Sequence, residues 1–409
     1  MSEGYGAAAP AQGSRTFVAA IDRGWDASQS IVLRYRHVGR FADSEEQDQQ
    51  FKSLLLRSSI REGLRIVALP SYRGVQVDVL DATSLMHTRS VKSIDGCLTT
   101  AHALWRGHRR VVFESGGNTG TALTVYGIAA GLETFFFVPT ANLALLDAAS
   151  FADPQAHLIA VDDPGTIKAT VARFAAEQDL PRIPELAWRL QAATFIGYFL
   201  LERLLEQDRY DWLVQSISAA FGPIGIYRVL QAHRDRLACL PRFLGIQQSA
   251  NCPMARAWRA LRASEPPPVA SDPRLLAQVM YDRQPQTHGT FEELQRVLVE
   301  SGGDLTTLDH PEFQACLTDP IAGRPLLQYL ADGDIHIALR GGEVIEKAGL
   351  MALAGTLREI AAGRIQEGSR VLVCLTGGTA PADGQVKPER RMAAAEALSA
   401  APPPGGSDG

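Results

Sequence analysis

From about residue 110 onward the chain repeats one unit: a short apolar run, a turn of small residues, then apolar positions at helical spacing. Residues 111–113 lead to a helical segment at 121–131, and 157–161 to one at 164–178. The run 134–138 stops at Pro139 and is followed by a helical stretch near 143–151. A long helix is expected at 192–206, a strand at 212–216 with a helix at 226–233, and strands at 243–247 and 371–375. Further helices are expected at 291–301 and 343–362. Upstream, 17–21, 31–35, 65–69 and 75–80 read as strands, and 44–61 and 93–107 as helices. Strand and helix alternating at this spacing argue for an α/β chain with parallel sheets, in which ligands bind at the carboxyl ends of the strands.

Composition narrows this picture. The chain has 409 residues, enough for two domains, and a hydrophobic content of 46%, ordinary for a full core. Its net charge of -5 gives no basic footprint for nucleic acid. Cys97, Cys239, Cys252, Cys316 and Cys374 are scattered, without metal-ligand spacing, and read as reduced thiols in a cytoplasmic protein. No apolar run is long enough to span a bilayer, and the start has neither a basic n-region nor an apolar h-region. Residues 1–14 and 400–409 are rich in small residues and proline and are expected to be disordered, and 260–273 reads as a loop.

Four stretches carry chemistry. The first is Ser115-Gly116-Gly117-Asn118-Thr119-Gly120, a glycine turn between a strand and a helix start. Such a turn presents backbone N–H groups to an anion, and its side chains add polar contacts. It is not G-x-G-x-x-G, so a dinucleotide-binding oxidoreductase is poorly supported. The second is Lys92, one of only five lysines in a chain that otherwise uses arginine. Ser93 and Asp95 beside it suit a helix start, where a charged amine is disfavoured and a nucleophilic one favoured. The third is the small-residue turn from Ser218 to Gly225, with the shape of a phosphate cradle but with Pro223 removing one N–H. The fourth is Thr376-Gly377-Gly378-Thr379, at a strand end. Taken singly, each is also readable as an ordinary surface lysine or a tight turn. Together they supply what pyridoxal phosphate needs: a lysine for its aldehyde, a nest for its phosphate and polar partners for its ring.

In this order the motifs resemble those of the fold-type II pyridoxal-phosphate enzymes, which include tryptophan synthase β, cysteine synthase and threonine synthase. The stretch from Glu346 to Gly355 is similar to that family's E-P-x-G/A-A-x-A-L-A-G helix, and 368–377 to the threonine synthase ending. The runs 66–74, 90–96 and 282–291 are similar to the cysteate synthase branch. The resemblance covers roughly residues 60–380. It implies a two-domain fold with the active site between parallel-sheet domains. Residues 15–96 and 206–384 would form a large cofactor-binding domain, 97–205 a small mobile domain, and 385–409 a mostly disordered tail. Lys92 would form the internal aldimine and move the α-proton. Asn118 would meet the pyridine hydroxyl, and Thr376 the ring nitrogen. Ala220, Phe221 and Gly222 would hold the phosphate. Ser115, Gly116, Gly117 and Thr119 would hold the substrate carboxylate.

The sequence departs from that family at Pro223, at Lys347, where the family often has proline, and at Met86-His87-Thr88-Arg89, which replaces the usual P-T-G lead. Arg89 and His87 are candidates for an anionic leaving group or nucleophile, or plain solvated charges. The implied activity is β-replacement on an O-activated serine such as O-phosphoserine, through an α-aminoacrylate, with sulfite as nucleophile. The alternatives are γ-replacement on O-phosphohomoserine, or a non-catalytic ligand-binding protein. The implied partners are a small amino acid, a small nucleophile and a second copy of the chain, with no nucleic acid or membrane, and no metal.

Overall fold

The computed structural model describes residues 14–206, 209–262, 272–280, 290–318 and 324–393. In chain order the elements are α1 (Ser14–Ala20), α2 (Ile31–Arg34), α3 (Glu45–Ser58), β1 (Arg65–Ala68), β2 (Gln76–Asp81), α4 (Lys92–Trp105), β3 (Arg110–Glu114), α5 (Asn118–Ala129), β4 (Glu133–Pro139), β5 (Ala156–Val161), α6 (Ile167–Glu177), α7 (Leu186–Leu205), β6 (Trp212–Ser216), α8 (Phe221–Ala232), β7 (Arg242–Gln248), α9 (Pro253–Leu261), α10 (Phe291–Ser301), β8 (Asp304–Leu308), α11 (His310–Thr318), α12 (Leu326–Ala331), β9 (Leu339–Arg340), β10 (Glu343–Val344), α13 (Ala348–Ala361), β11 (Arg370–Leu375) and β12 (Arg390–Met392).

Two sheets organise these elements. The larger has strand order β1-β2-β11-β6-β7-β8 and is parallel except for β1 against β2. The smaller, β12-β5-β4-β3, is parallel throughout. The central strand β11 is buried along almost its whole length, as a parallel strand covered on both faces must be. Its side chains alternate: Val371, Val373 and Leu375 pack with α13, and Leu372 and Cys374 with the cluster that holds α7 and α8. Asp78, buried on β2, is held by Tyr210 Oη at 3.0 Å and by Arg370 Nε at 2.9 Å. A buried carboxylate needs such partners.

The parallel α/β architecture agrees with the alternation in the sequence, and the structure differs in several local places. Residues 17–21 and 31–35 fall on helices α1 and α2 instead of strands. A short apolar run has no period long enough to separate the two states. The Ser30 hydroxyl decides the second case, because Oγ accepts from Leu33 N at 3.2 Å and closes a helical turn. The stretch near 143–151 holds two short 3₁₀ turns, not a helix. Residues 343–344 form a strand of a small hairpin, and the helix begins only at Ala348. The expected tail also holds an element. Arg390–Met392 adds β12 to the smaller sheet, pairing Arg391 with Ala160. The predicted disorder at 1–13 and 400–409, most of the loop at 260–273, and most of the 282–291 resemblance lie outside the described residues.

Candidate active site

Three strands end where the singled-out residues begin: β3 before Ser115, β6 before the Ser218 turn, and β11 before Thr376. Lys92 is the first residue of α4, its side chain partly exposed, and its Nζ lies 3.0 Å from Asp95 Oδ2. The preceding turn is closed by Ser90, whose Oγ accepts from Lys92 N at 3.2 Å. Val91 N donates to the Thr376 carbonyl at 3.0 Å, and Thr379 Oγ1 to the Arg89 carbonyl at 3.3 Å. The lysine turn and the end of β11 are thereby stitched together.

Asn118 opens α5. Its Nδ2 is 3.5 Å from Glu346 Oε2, a long hydrogen bond. Gly377 lies between them and the end of β11: a Cβ there would stand 2.0 Å from Glu346 Oε2 and 3.3 Å from Asn118 Nδ2. Any side chain at 377 would therefore break the junction. Glu346 is buried, and burial pushes its carboxyl above the ordinary range, partly offset by the Ala348 N–H and the Asn118 amide. The rest of the turn is tightly folded. Ser115 Oγ accepts from Gly117 N at 3.1 Å, and Asn142 Nδ2 donates to the Gly116 carbonyl at 2.8 Å. Gly117 has φ 153 and ψ -90, a conformation open essentially to glycine alone.

The second turn is built differently. Ala220 is left-handed, with φ 58 and ψ 20, and α8 starts at Phe221. Pro223 falls in the first turn, where its missing N–H costs no helix bond. Gly222 leaves room for the Gln215 amide, whose Nε2 a Cβ would meet at 2.4 Å. Over Phe221 sits Arg189, its guanidinium 4.4 Å from the ring centroid. The same guanidinium reaches Thr119 Oγ1 at 3.5 Å, and its Nε is buried without a hydrogen-bond partner. A cation bridging two helix N-termini, with a buried donor unspent, suits an anion.

The structure thus ties Lys92 to Thr376, Asn118 to Glu346 and Gly377, and Thr119 through Arg189 to Phe221. Chain neighbours Thr376–Gly377 and Asn118–Thr119 join the three groups into one region. Arg89 stands apart. It is exposed, has φ 54, and turns Nη1 to the Ser84 carbonyl at 2.9 Å. His87 packs edge-on to Tyr126, and burial lowers its pKa. Sequence reasoning passed over two residues. Glu346 stood inside the helix motif without a role. Arg189 gave no local signal, since Trp188-Arg189-Leu190 reads as an ordinary amphipathic turn. Among the described residues there is no cluster of metal-ligating side chains, and no helix is long and apolar enough to cross a membrane.

No family model matches the chain, and no curated protein does. Solved structures do. A pyridoxal 5'-phosphate-dependent aspartate racemase superposes with TM-score 0.55 at 18% identity, over 83% of this chain and 97% of the racemase. The processed form of threonine deaminase isoform 2 from Solanum lycopersicum gives 0.54 at 13%, over 82% and 90%. An O-ureido-L-serine synthase gives 0.51 at 15%, over 80% and 91%. The chain has the fold of the fold-type II pyridoxal-phosphate enzymes. In that fold the region assembled from Lys92, Asn118, Thr376 and the α8 turn lies at strand ends, and its parts match the cofactor's chemistry. A primary amine, a side-chain amide, a hydroxyl and a helix N-terminus backed by Arg189 are what an aldehyde, a phenolic oxygen, a ring nitrogen and a phosphate require.

Proposed function

We propose that the protein is a pyridoxal-phosphate enzyme that replaces the β-substituent of an O-activated serine. The substrate would be O-phosphoserine or a close analogue, and sulfite the nucleophile. The observation that carries this reading is the convergence of Lys92, Asn118, Thr376 and the α8 N-terminus on one region, with the cation of Arg189 set between the two turns. Pyridoxal phosphate, when bound, supplies an electron sink that acidifies the substrate's Cα–H. Lys92 would hold the cofactor's aldehyde carbon, take the α-proton at Nζ and return it to Cα; Asp95, 3.0 Å away, keeps that amine in place. Ser115, Gly116, Gly117 and Thr119 would bind the α-carboxylate, and Asn118 would orient the ring through its hydroxyl. Thr376 would meet the ring nitrogen with an uncharged hydroxyl, which favours elimination over aminotransfer. Ala220, Phe221 and Gly222 would receive the cofactor phosphate. Arg189 adds a charge beside both anions that the altered turn, with its alanines and Pro223, does not supply through backbone alone.

The net change would break Cβ–O, release phosphate with the bonding pair, and form Cβ–S from sulfite. The neighbours named for racemase, deaminase and O-ureido-serine synthase support an amino-acid substrate of this size. The test is direct. Purified protein mixed with pyridoxal phosphate should gain a visible absorption band that Lys92→Ala lacks. The loaded enzyme with O-phosphoserine and sulfite should yield cysteate and phosphate, detected by mass spectrometry. A wild type that takes up no cofactor sinks the enzyme reading. Threonine formed from O-phosphohomoserine, with no cysteate from O-phosphoserine, replaces β- by γ-replacement.

A further inference from the structure

A stretch outside both sheets meets the 115–119 turn at Val279, which lies in a single 3₁₀ turn, Gln278–Met280. Val279 sits directly on the turn: a Cβ on Gly116 would lie 3.4 Å from Val279 Cα and 3.5 Å from its carbonyl oxygen, and a Cβ on Gly117 would lie 3.2 Å from Val279 Cγ1. A Cβ on either glycine would thus touch this one valine. The segment is anchored from behind. The side chain of Gln248, 2% exposed at the end of β7, accepts from Ala277 N at 3.1 Å and donates to the Ala277 carbonyl at 3.3 Å. A two-point amide clamp of this kind fixes backbone position as a strand partner would. Leu276 and Ala277 are buried in the core beside it. A cavity of about 200 Å³ lies between Val279, Leu276, Leu145 and Glu346, and Glu346 is the residue that meets Asn118.

We infer that Val279 is a specificity-determining residue. It is held by Gln248 and sets how far the side chain of a bound amino acid can extend from a carboxylate seated on the 115–119 turn. The inference rests on the reading of that turn as the carboxylate site. A molecule seated there has Val279 as its neighbour, so once its side chain fills the cavity beside Val279 a further methylene must displace a branched side chain whose backbone Gln248 holds. Interiors do not absorb such an excess at no cost. Gln248 is a positioning residue, since it reaches the substrate only through Ala277 and Val279.

The experiment uses the cofactor-loaded protein and a homologous series, L-norvaline, L-norleucine and L-2-aminoheptanoate, which brackets the length of O-phosphoserine. Binding is read from the change in cofactor absorbance, so no turnover is needed. In the wild type, affinity should fall once the side chain outgrows that of O-phosphoserine, from L-norleucine to L-2-aminoheptanoate. Val279→Ala and Val279→Gly should flatten the series, bringing L-2-aminoheptanoate up by about tenfold relative to L-norleucine, the usual discrimination of a pocket against one methylene. Gln248→Leu should shift the series in the same direction while altering no group that faces the ligand, and melting curves report whether each variant is folded. A loaded wild type that binds none of the three overturns the inference. A loaded wild type whose series is unchanged in Val279→Ala and Val279→Gly also overturns it and leaves the proposed cofactor site standing. A wild type that takes up no pyridoxal phosphate removes both.

Discussion

The two strand-to-helix turns, β3 to α5 at the edge of the smaller sheet and β6 to α8 inside the larger, are built by different means. The first is glycine-built. Gly117 adopts a conformation closed to other residues, and the turn is locked by Ser115, Asn142 and the overlying Val279. The second uses alanine in a left-handed position, an aromatic ring and a proline, and takes its positive charge from Arg189 on a different helix. An anion site can be assembled from backbone donors within a turn or from a cation delivered by a neighbouring element. The second route leaves almost no trace in the local sequence.

In the proposed site both turns serve Lys92, so the largest effect lies there. Lys92→Ala should abolish the visible band of the cofactor-loaded protein and lower turnover by at least about 10,000-fold, the scale of losing a nucleophile or base. Retained turnover would dissolve the comparison, because the turns would then not share a site. Arg189→Ala tests whether the second turn depends on a borrowed charge. Removing a charged hydrogen-bonding group should weaken cofactor affinity by on the order of 10- to 100-fold in an equilibrium titration, with partial recovery in Arg189→Lys. Unchanged affinity would mean that the backbone of α8 suffices.

Stability should move in opposite directions at the two turns. Gly117→Ala forces a side chain into a glycine conformation and should cost more than about 1 kcal/mol in urea denaturation. Ala220→Gly relieves a left-handed alanine, and although glycine is more flexible when unfolded, the net gain should be about 0.5 kcal/mol. The smallest effect concerns Glu346 at the junction of Asn118 and Gly377. Burial raises its carboxyl pKa above the ordinary value of 4.5. The folded state therefore holds this proton more tightly than the unfolded chain. The resulting stability is fully present below the ordinary value and is lost as pH rises through the raised one. Between about pH 4 and 7 the stability of Glu346→Gln should decline less than that of the wild type.

Much of the fold was legible because parallel strands are buried on both faces and appear as unbroken apolar runs bounded by turns. Residues 111–113, 134–138, 157–161, 212–216, 243–247 and 371–375 all lie within the strands that were read from them. The short runs at 17–21 and 31–35 misled for the complementary reason: one or two helical turns of buried residues show no period. The strand β12 was missed because Arg390-Arg391-Met392 is charged and edge-located, so its partner β5, not its composition, makes it a strand.

The site divides in the same way. Lys92, the 115–119 turn, the 218–225 turn and Thr376 carry their chemistry in residue type and local spacing, so the chain by itself determined that these groups exist and that each stands at a strand or helix end. Arg189, Glu346, Gln248 and Val279 acquire meaning only from partners far away in sequence. A guanidinium between two helix starts, a buried carboxyl against Asn118, and a valine clamped over two glycines are products of packing. The physical reason is one of range. Backbone conformation answers to neighbouring residues, whereas charge compensation and steric limits answer to whatever tertiary folding brings within a few ångströms.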